Sequence, residues 1–429
     1  MGTAQVRRQF MSCETMRGVS MNTMNHMSRR NFLRMSGLIG VSAMLAACSG
    51  SSDGSDAPAA DADTFRIGGI GPVTGGAALY GIATKFGAQV AVDEVNAEGK
   101  IKMVLNWQDD EHDPEKSVNA YNTLKDWGLQ ILVGTTTTNP CVAVSALTNA
   151  DRIFELTPSA SSVNVLGGEE IGADGPRKDN VFQMCFTDPN QGTRSAQYID
   201  EKGLGTKIAI IYNNADAYST GIYQKFESEA AARNLEIVSV TTFTDDSATD
   251  FSAQLNKAKD AAADLIFLPI YYTPASIILK QASDMGYAPK FFGVDGMDGI
   301  LDVEGFDTSL AEGVMLLTPF VATATDEATQ NFDAAYKAAA GVDTNPIQFA
   351  ADAYDCVHAI AKAIDQAGIT PDMATADICD KLIATFTGDF EFSGLTCPIG
   401  EVMTWSETGE VSKDPKGMVI VDGVYQPLD

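Results

Sequence analysis

Histidine is nearly missing from this chain: 429 residues hold three, at positions 26, 112 and 358. His358 sits inside an amphipathic helical pattern, where a core or surface place is the ordinary reading. No GxSxG, HExxH or Walker sequence is present either, so no residue is available to assign to catalysis and no enzyme is expected. Basic side chains are also scarce, 29 Lys and Arg against 57 Asp and Glu, for a formal charge of −28. So anionic a surface disfavours nucleic acid and acidic lipid headgroups. Cysteine occurs without any CxxC or other metal-binding spacing. Five cysteines follow Cys48, at 141, 185, 356, 379 and 397, enough for at most two disulfides with one thiol over. Finally, no apolar run is long enough to cross a bilayer.

What is present begins with the N-terminus, MSRRNFLRMSGLIGVSAMLAACSG from Met27 to Gly50. Ser28, Arg29, Arg30, Phe32 and Leu33 form a twin-arginine export pattern, followed by a moderately apolar stretch from Gly37 to Ala47. Leu45, Ala46, Ala47 and Cys48 match a lipobox, in which the Cys48 thiol takes the lipid and becomes the first mature residue. Residues before Met27 fit neither pattern, which points to an internal Met as the translation start. The first 47 residues carry six arginines and one glutamate, so the chain from Cys48 onward has a formal charge of −33. Residues 49–63 (SGSSDGSDAPAADAD) contain too little apolar side chain to build a core and read as a flexible tether.

About 365 residues remain, more than one hydrophobic core usually serves, so two domains are expected. From Thr64 short apolar runs alternate with helical patterns. FRIGGIG, a helix from about Ala78 to Asn96, KMVLNW, a helix opened by Asp113 and Pro114, LQILVG, a helix near Asn139 and RIFEL make a βαβαβαβ series. That order implies a parallel sheet covered on both faces. After VFQMCF the alternation restarts with KIAIIY, EIVSVTTF, DLIFLPI, KFFGV and GVMLLT, separated by helices near residues 219–233, 250 and 274. Further helices are expected near 325–341, 346–368 and 374–386, then short strands at FEFSG, EVMTW and GMVIV.

In open parallel sheets ligands bind at the carboxyl ends of strands, where loops enter helix N-termini. GTTTTNP places Thr135 to Thr138 at such an end, and LTPSASSV places Ser159, Ser161 and Ser162 at the end of the next strand. Each cluster alone reads as a helix cap or a turn. On neighbouring strands they converge, and together they suit one carboxylate. In the second half NNADAYSTG, PIYYTP and FFGVDGMDG put Tyr218, Tyr271, Tyr272 and Asp295 at strand ends. Asp295 suits a ligand ammonium or, alternatively, caps a turn; the tyrosines offer apolar walls with polar tips. The run Asp109, Asp110, Glu111, His112, Asp113 lacks a calcium-loop spacing and reads as a strand end plus a helix start, so no metal is expected. GIGPVTGG departs from GxGxxG, and no dinucleotide or other cofactor is expected.

Seven segments in order, IGGIGPVTGGAALYG with GAQVAVDEVNAEG, DDEHDPEKSV, LVGTTTTNP, LTPSASS, IIYNNADAYSTG, PIYYTPASIILKQASDMGY and KFFGVDGMDG, resemble the branched-chain amino-acid binding proteins, the type I periplasmic binding proteins of ABC importers. The resemblance spans about residues 65–425. It implies two α/β, Rossmann-like lobes with parallel sheets, joined by three crossovers and closing on a ligand by hinge motion. The crossovers are expected near 187–190, 317–320 and 389–394. The lobes would be 64–187 with 320–390, and 188–319 with 391–429, after a signal peptide (1–47) and a tether (48–63).

By position the resemblance assigns Thr138 and Ser161 to the ligand carboxylate, with Thr136 and Ser159 contributing backbone beside them. It assigns Tyr218 and Asp295 to the ammonium, and Tyr80, with Tyr271 or Tyr272 on the facing lobe, to the ligand side chain. Asp295 stands where branched-chain binders carry Glu, which leaves an amino acid, an amide, a urea or an amine-free carboxylate open as ligand. The expected protein is a lipid-anchored receptor on the outer face of the cytoplasmic membrane, passing a small metabolite to an ABC permease. The alternative is a sensor of a similar ligand that signals to a separate membrane partner.

Overall fold

The computed structural model describes residues 61–428. The signal sequence, Cys48 and tether residues 49–60 lie outside the described residues. The chain runs β1 (Phe65–Ile70), α1 (Ala78–Glu98), β2 (Met103–Gln108), α2 (Pro114–Trp127), β3 (Ile131–Gly134), α3 (Thr138–Asp151), β4 (Phe154–Thr157), α4 (Val163–Leu166) and β5 (Val181–Gln183). It continues α5 (Asp188–Glu201), β6 (Lys207–Asn213), α6 (Ala217–Ala232), β7 (Glu236–Phe243), α7 (Ser252–Asp260), β8 (Leu265–Leu268), α8 (Tyr272–Asp284), β9 (Lys290–Gly293) and β10 (Met315–Leu317). Three helices, α9 (Glu327–Ala340), α10 (Gln348–Ala367) and α11 (Thr375–Phe386), precede β11 (Gly417–Val421) and β12 (Val424–Pro427).

Two sheets result, one per lobe. The first has order β2-β1-β3-β4-β5 and is parallel throughout; the second has order β12-β11-β10-β9-β8-β6-β7, parallel except where β11 joins β10 and β12. The period-two alternation of a strand explains why both faces need helices. Ile131 and Val133 join α1, α10 and α11 on one face, while Leu132 joins α2 and α3 on the other. In the second sheet Ile208, Ile210 and Phe267 meet α5 and α6, whereas Ala209, Ile211 and Ile266 meet α7 and α8. Local chemistry sets the helix ends as expected: Asp113 accepts from Lys116 N at 2.9 Å with Pro114 in the first turn, and Gly99 ends α1 at φ 77°.

The segment 391–411 departs from its expected place in the second lobe. FEFSG and EVMTW form single bridges, Phe392 with Met403 and Trp405 with Val411, and their large side chains enter the core of the first sheet beside Phe154, Phe182 and Phe386. Trp405 Nε1 donates to Gln183 O at 2.8 Å, and Gln183 N donates to Gly409 O at 3.0 Å, so this segment covers the edge at β5. The passage into the second sheet falls instead at 412–416, beside the passage after β10, where Thr318 N donates to Lys416 O at 2.9 Å. Residues 389–394, where the third crossover was expected, therefore belong with the first sheet.

All five described cysteines are free and buried, so the two disulfides that their number allowed do not form among them. Burial pushes each thiol up from its ordinary range, most at Cys141, Cys185 and Cys356. Among the described residues no helix is long and apolar enough to cross a membrane.

Candidate ligand pocket between the lobes

The carboxyl ends of β1, β3 and β4 in one lobe face those of β6, β8 and β9 in the other, and hydrogen bonds cross between them. Leu79 N donates to the Tyr272 hydroxyl at 3.1 Å, Thr273 Oγ1 donates to Gly76 O at 2.7 Å, and Asn139 joins Ala215 and Ala217 through its amide. The Tyr80 hydroxyl donates to Gly296 O and accepts from Tyr272 N at 3.2 Å. The lobes are closed on each other.

Tyr80, Thr136, Ser159, Tyr218, Tyr271 and Asp295, six of the nine side chains singled out from the sequence, line one small pocket at this junction, together with Thr137, Gly296 and Phe349. Sequence reasoning placed Thr137 in the threonine cluster without assigning it to the ligand, and it missed Gly296 and Phe349. Phe349 lies in the first turn of α10, a helix preceded by another helix and not by a strand, so no strand-end rule points to it. Gly296 is required by space: a Cβ there would lie 2.5 Å from the Tyr218 hydroxyl and 2.9 Å from the Tyr271 ring.

Thr138, Ser161 and Tyr272 do not line this pocket. Thr138 is already the first helical residue of α3, and its buried hydroxyl takes no hydrogen bond. Ser161 Oγ donates to Asp188 Oδ1 at 2.7 Å, which commits it to a carboxylate of the protein. Tyr272 spans the lobes as described. The other threonines divide their work: Thr135 Oγ1 donates to Thr137 O, Thr136 Oγ1 pairs with Thr84 Oγ1 at 2.9 Å, and Thr137 Oγ1 meets His112 Nδ1 at 2.8 Å. Replacing an unpartnered buried hydroxyl by a methyl group removes a desolvation cost. Thr138→Val is therefore expected to leave the denaturation midpoint unchanged or raise it; a drop of more than about 1 kcal/mol would show an unrecognised partner.

Asp295 is the pocket's charged centre. Its Oδ1 accepts from the Tyr218 hydroxyl at 2.6 Å, its backbone N–H donates to Gln191 Oε1 at 3.1 Å, and its carbonyl accepts from Gln348 Nε2 at 3.1 Å. Burial pushes its carboxyl up to about 7, against the lowering effect of Tyr218 and Gln191. Asp216 is likewise pushed up to about 7 by burial, and Asp188 well above the usual carboxylate range. No Lys or Arg lines the pocket. Tyr271 stacks on Tyr218 with ring centroids 4.9 Å apart and also walls a second interlobe cavity of about 420 Å³, which includes His112, Asn213, Asp216, Phe243 and Ile270. The small pocket itself leaves about 10 Å³, at most one water, so a ligand needs the room on the far side of Tyr271 or a wider opening.

Three carboxylates of the acidic run 109–113 make local structural contacts. Asp109 accepts from Val73 N and Thr74 Oγ1, Asp110 from His112 N, and Asp113 caps α2. His358 lies far along α10, against Glu94 at 3.2 Å.

A family model described as "periplasmic binding protein" matches residues 64–417. The chain belongs to the periplasmic binding protein family. This membership implies a place outside the cytoplasm. Among curated relatives of this periplasmic binding protein are the Leu/Ile/Val-binding protein homolog 3 of Brucella melitensis, 29% identical over 82% of this chain and 94% of the relative, and the leucine-, isoleucine-, valine-, threonine- and alanine-binding protein of Pseudomonas aeruginosa, 26% identical over 77% and 86%. Among solved structures, a branched-chain amino acid transporter substrate-binding protein from Streptococcus pneumoniae in complex with isoleucine is 28% identical, with a TM-score of 0.73 over 85% of this chain and 98% of that one. An ABC-transporter solute-binding protein from R. palustris in complex with benzoate has a TM-score of 0.72 at 17% identity, over 85% of this chain and 95% of that one, a likeness of fold. The fold is the type I periplasmic binding protein fold.

Proposed function

We propose that this periplasmic binding protein is the lipid-anchored receptor of an ABC importer and that it captures a free amino acid. Cys48 would be the anchor and residues 49–63 the tether, after export by the twin-arginine route. The observation that carries the ligand class is Asp295, a buried carboxylate joined to Tyr218 and lacking any cationic partner in the pocket. A ligand ammonium supplies the missing positive charge, whereas an amine-free carboxylate would meet the ionised form of Asp295, and of Asp216 in the adjoining cavity, as a like charge. Thr136, Thr137, Ser159 and the N-terminus of α3 form the opposite, electropositive pole for the ligand carboxylate. The side chain extends past Tyr271 into the cavity lined by Phe243 and Ile270. The relatives named above as binders of leucine, isoleucine and valine agree with this class.

The test is a thermal-shift screen of the full chain against the amino acids, their amides, urea and short-chain and aromatic acids, since a ligand specific to the native state raises the melting temperature. Amino acids should give the largest shifts. Shifts from amine-free carboxylates alone would overturn the assignment of Asp295. Thr136→Val, which keeps shape and removes the hydroxyl, should weaken the best amino acid by about tenfold, the worth of one hydrogen bond to a charged group.

Binding should also respond to pH. The ligand ammonium stays charged across pH 6 to 8, while Asp295 must be ionised to receive it and titrates near 7 in the free protein. The dissociation constant should therefore rise about tenfold between pH 8 and pH 6. The stability of the free protein runs the other way. Asp110, Glu155, Asp216 and Asp295 are raised to about 7 by burial, so the native state holds more protons than the unfolded chain between pH 4 and 7. Their contribution to stability is fully present at low pH and is lost as pH rises through 7. Calorimetry of the free and bound protein at both pH values separates the two trends. Affinity that does not change with pH would remove Asp295 from the ammonium site.

A further inference from the structure

Gln191 does not line the pocket, yet it serves the residue at its charged centre. It lies in the first turn of α5, the helix that opens at the expected crossover 187–190, and it is fully buried. Close packing sets it there: a Cβ on the adjoining Gly192 would lie 2.5 Å from Ile222 O, so α5 lies hard against α6, the helix that carries Tyr218.

A buried amide is costly without partners, so its partners show what it does. Beyond Gly293 the chain has left strand β9, and Asp295 N, at the open start of a short 3-10 turn, has no backbone acceptor. Gln191 Oε1 accepts from it at 3.1 Å. On the other side of the residue, Gln348 Nε2 donates to Asp295 O at 3.1 Å. Two buried glutamines thus fix the main chain of Asp295, and with it the direction of the carboxylate that the Tyr218 hydroxyl meets at 2.6 Å. Gln191 is held from behind as well: its Nε2 makes a long contact with Ser161 Oγ, 3.5 Å, and Ser161 Oγ donates to Asp188 Oδ1 at 2.7 Å. Burial raises the Asp295 carboxyl, Tyr218 and Gln191 draw it back down, and Asp352 raises it again.

We propose that Gln191 is a positioning residue for ligand binding, which holds Asp295 where its carboxylate meets the ligand ammonium and ties it through Ser161 to the first crossover. This rests on the reading of Asp295 as the ammonium acceptor. Other titratable and charged groups face Asp295 from the elements packed around it: Tyr80 on α1, Cys185 and Asp188 beside the crossover, Tyr218 on α6, Tyr271 before α8, and Asp352 on α10 with Lys413 behind it. All of them stay when Gln191 alone is changed, so a displaced pH profile reports Gln191.

Calorimetric titration of the full chain with each of the twenty standard amino acids, from pH 6 to pH 8.5, tests this. Gln191→Met, of similar length but without donor or acceptor, should weaken the tightest amino acid about tenfold at pH 7. It should also move the pH midpoint of affinity upward from near 7, so that part of the loss returns at pH 8.5. Gln191→Asn keeps the amide but withdraws it from Asp295 N by one methylene; it should act alike and serves if the Met variant does not fold. Gln191→Glu should stay within about threefold of the parent at pH 7, because a carboxyl buried beside Asp188 and Asp295 keeps its proton and still accepts from Asp295 N. In the Asp295→Asn background Gln191→Met should cost less than about twofold more, since the two act as one unit. Unchanged affinity in Gln191→Met and Gln191→Asn overturns the proposal. So does a loss that leaves the pH midpoint in place or is equally large in the Asp295→Asn background, which is loss of packing alone. If no amino acid binds, or Asp295→Asn binds as well as the parent, the ammonium reading fails and this proposal with it. Binding lost in Asp295→Asn but kept in Gln191→Met and Gln191→Asn overturns the positioning role alone.

Discussion

Asp295→Asn is expected to weaken amino-acid binding by about 2 to 5 kcal/mol, a loss of about 30-fold to several thousand-fold, because it removes one member of a desolvated charge pair. The substitution keeps the shape of the side chain and its capacity to accept from the Tyr218 hydroxyl. The free protein should not suffer: an amide replaces a carboxyl that burial holds at about 7, so at pH 8 the variant escapes the cost of a buried anion and should melt at the same temperature or higher. The result is therefore readable, since lost binding cannot be ascribed to unfolding. The deaminated analogue of the same amino acid, which lacks the ammonium, should bind the variant at least as well as it binds the parent. Equal affinity of parent and variant for the amino acid, measured at pH 8, would show that Asp295 does not face the ammonium.

The largest loss of stability is expected at Lys413→Met. Lys413 Nζ donates to Asp352 Oδ1 at 2.9 Å and to Thr396 Oγ1 at 2.5 Å, with both charged side chains almost fully buried. Asp355 Oδ1 and Oδ2 accept from Leu395 N, Thr396 N and Thr396 Oγ1, so these groups fasten the 391–413 segment to α10. Burial already raises Asp352 to about 6 despite the attraction of Lys413. Taking the lysine away strands that charge, for a cost of about 3 to 5 kcal/mol near pH 8. The sign with pH follows: without Lys413 the Asp352 carboxyl moves further above its unfolded value, so stability returns as pH falls and the proton binds. The double variant Asp352→Asn, Lys413→Met should be markedly more stable than the single one. Urea midpoints at pH 8 and pH 5.5 decide it, and an unchanged midpoint in Lys413→Met at pH 8 would show that the buried pair contributes nothing.

Much of the pocket was legible in the amino-acid order because strand ends are. Apolar runs such as ILVG and LIFL fix where β3 and β8 stop, and a parallel sheet places the next residues at its ligand-binding edge. Thr136, Ser159, Tyr218, Tyr271 and Asp295 were found in this way, and all five line one pocket. Choosing among adjacent hydroxyls was a different problem. Whether Thr136 or Thr138 meets the pocket depends on the residue at which α3 begins, and helix boundaries are the least certain part of a sequence pattern.

The sequence by itself determined the class of the fold, the parallel strands of both sheets, the acidic composition and the strand-end loops that carry the pocket, because periodicity and turn chemistry are local. The tertiary structure decided the rest, since it depends on residues far apart in the chain. It set Phe349 from α10 beside Tyr80 with ring centroids 4.4 Å apart, and it turned Ser161 toward Asp188. It also folded residues 392–411 back onto the first sheet through Trp405 and tied the following Lys413 to Asp352 of α10. Burial and partnership at these places come from packing between distant elements, which no local pattern of residues encodes.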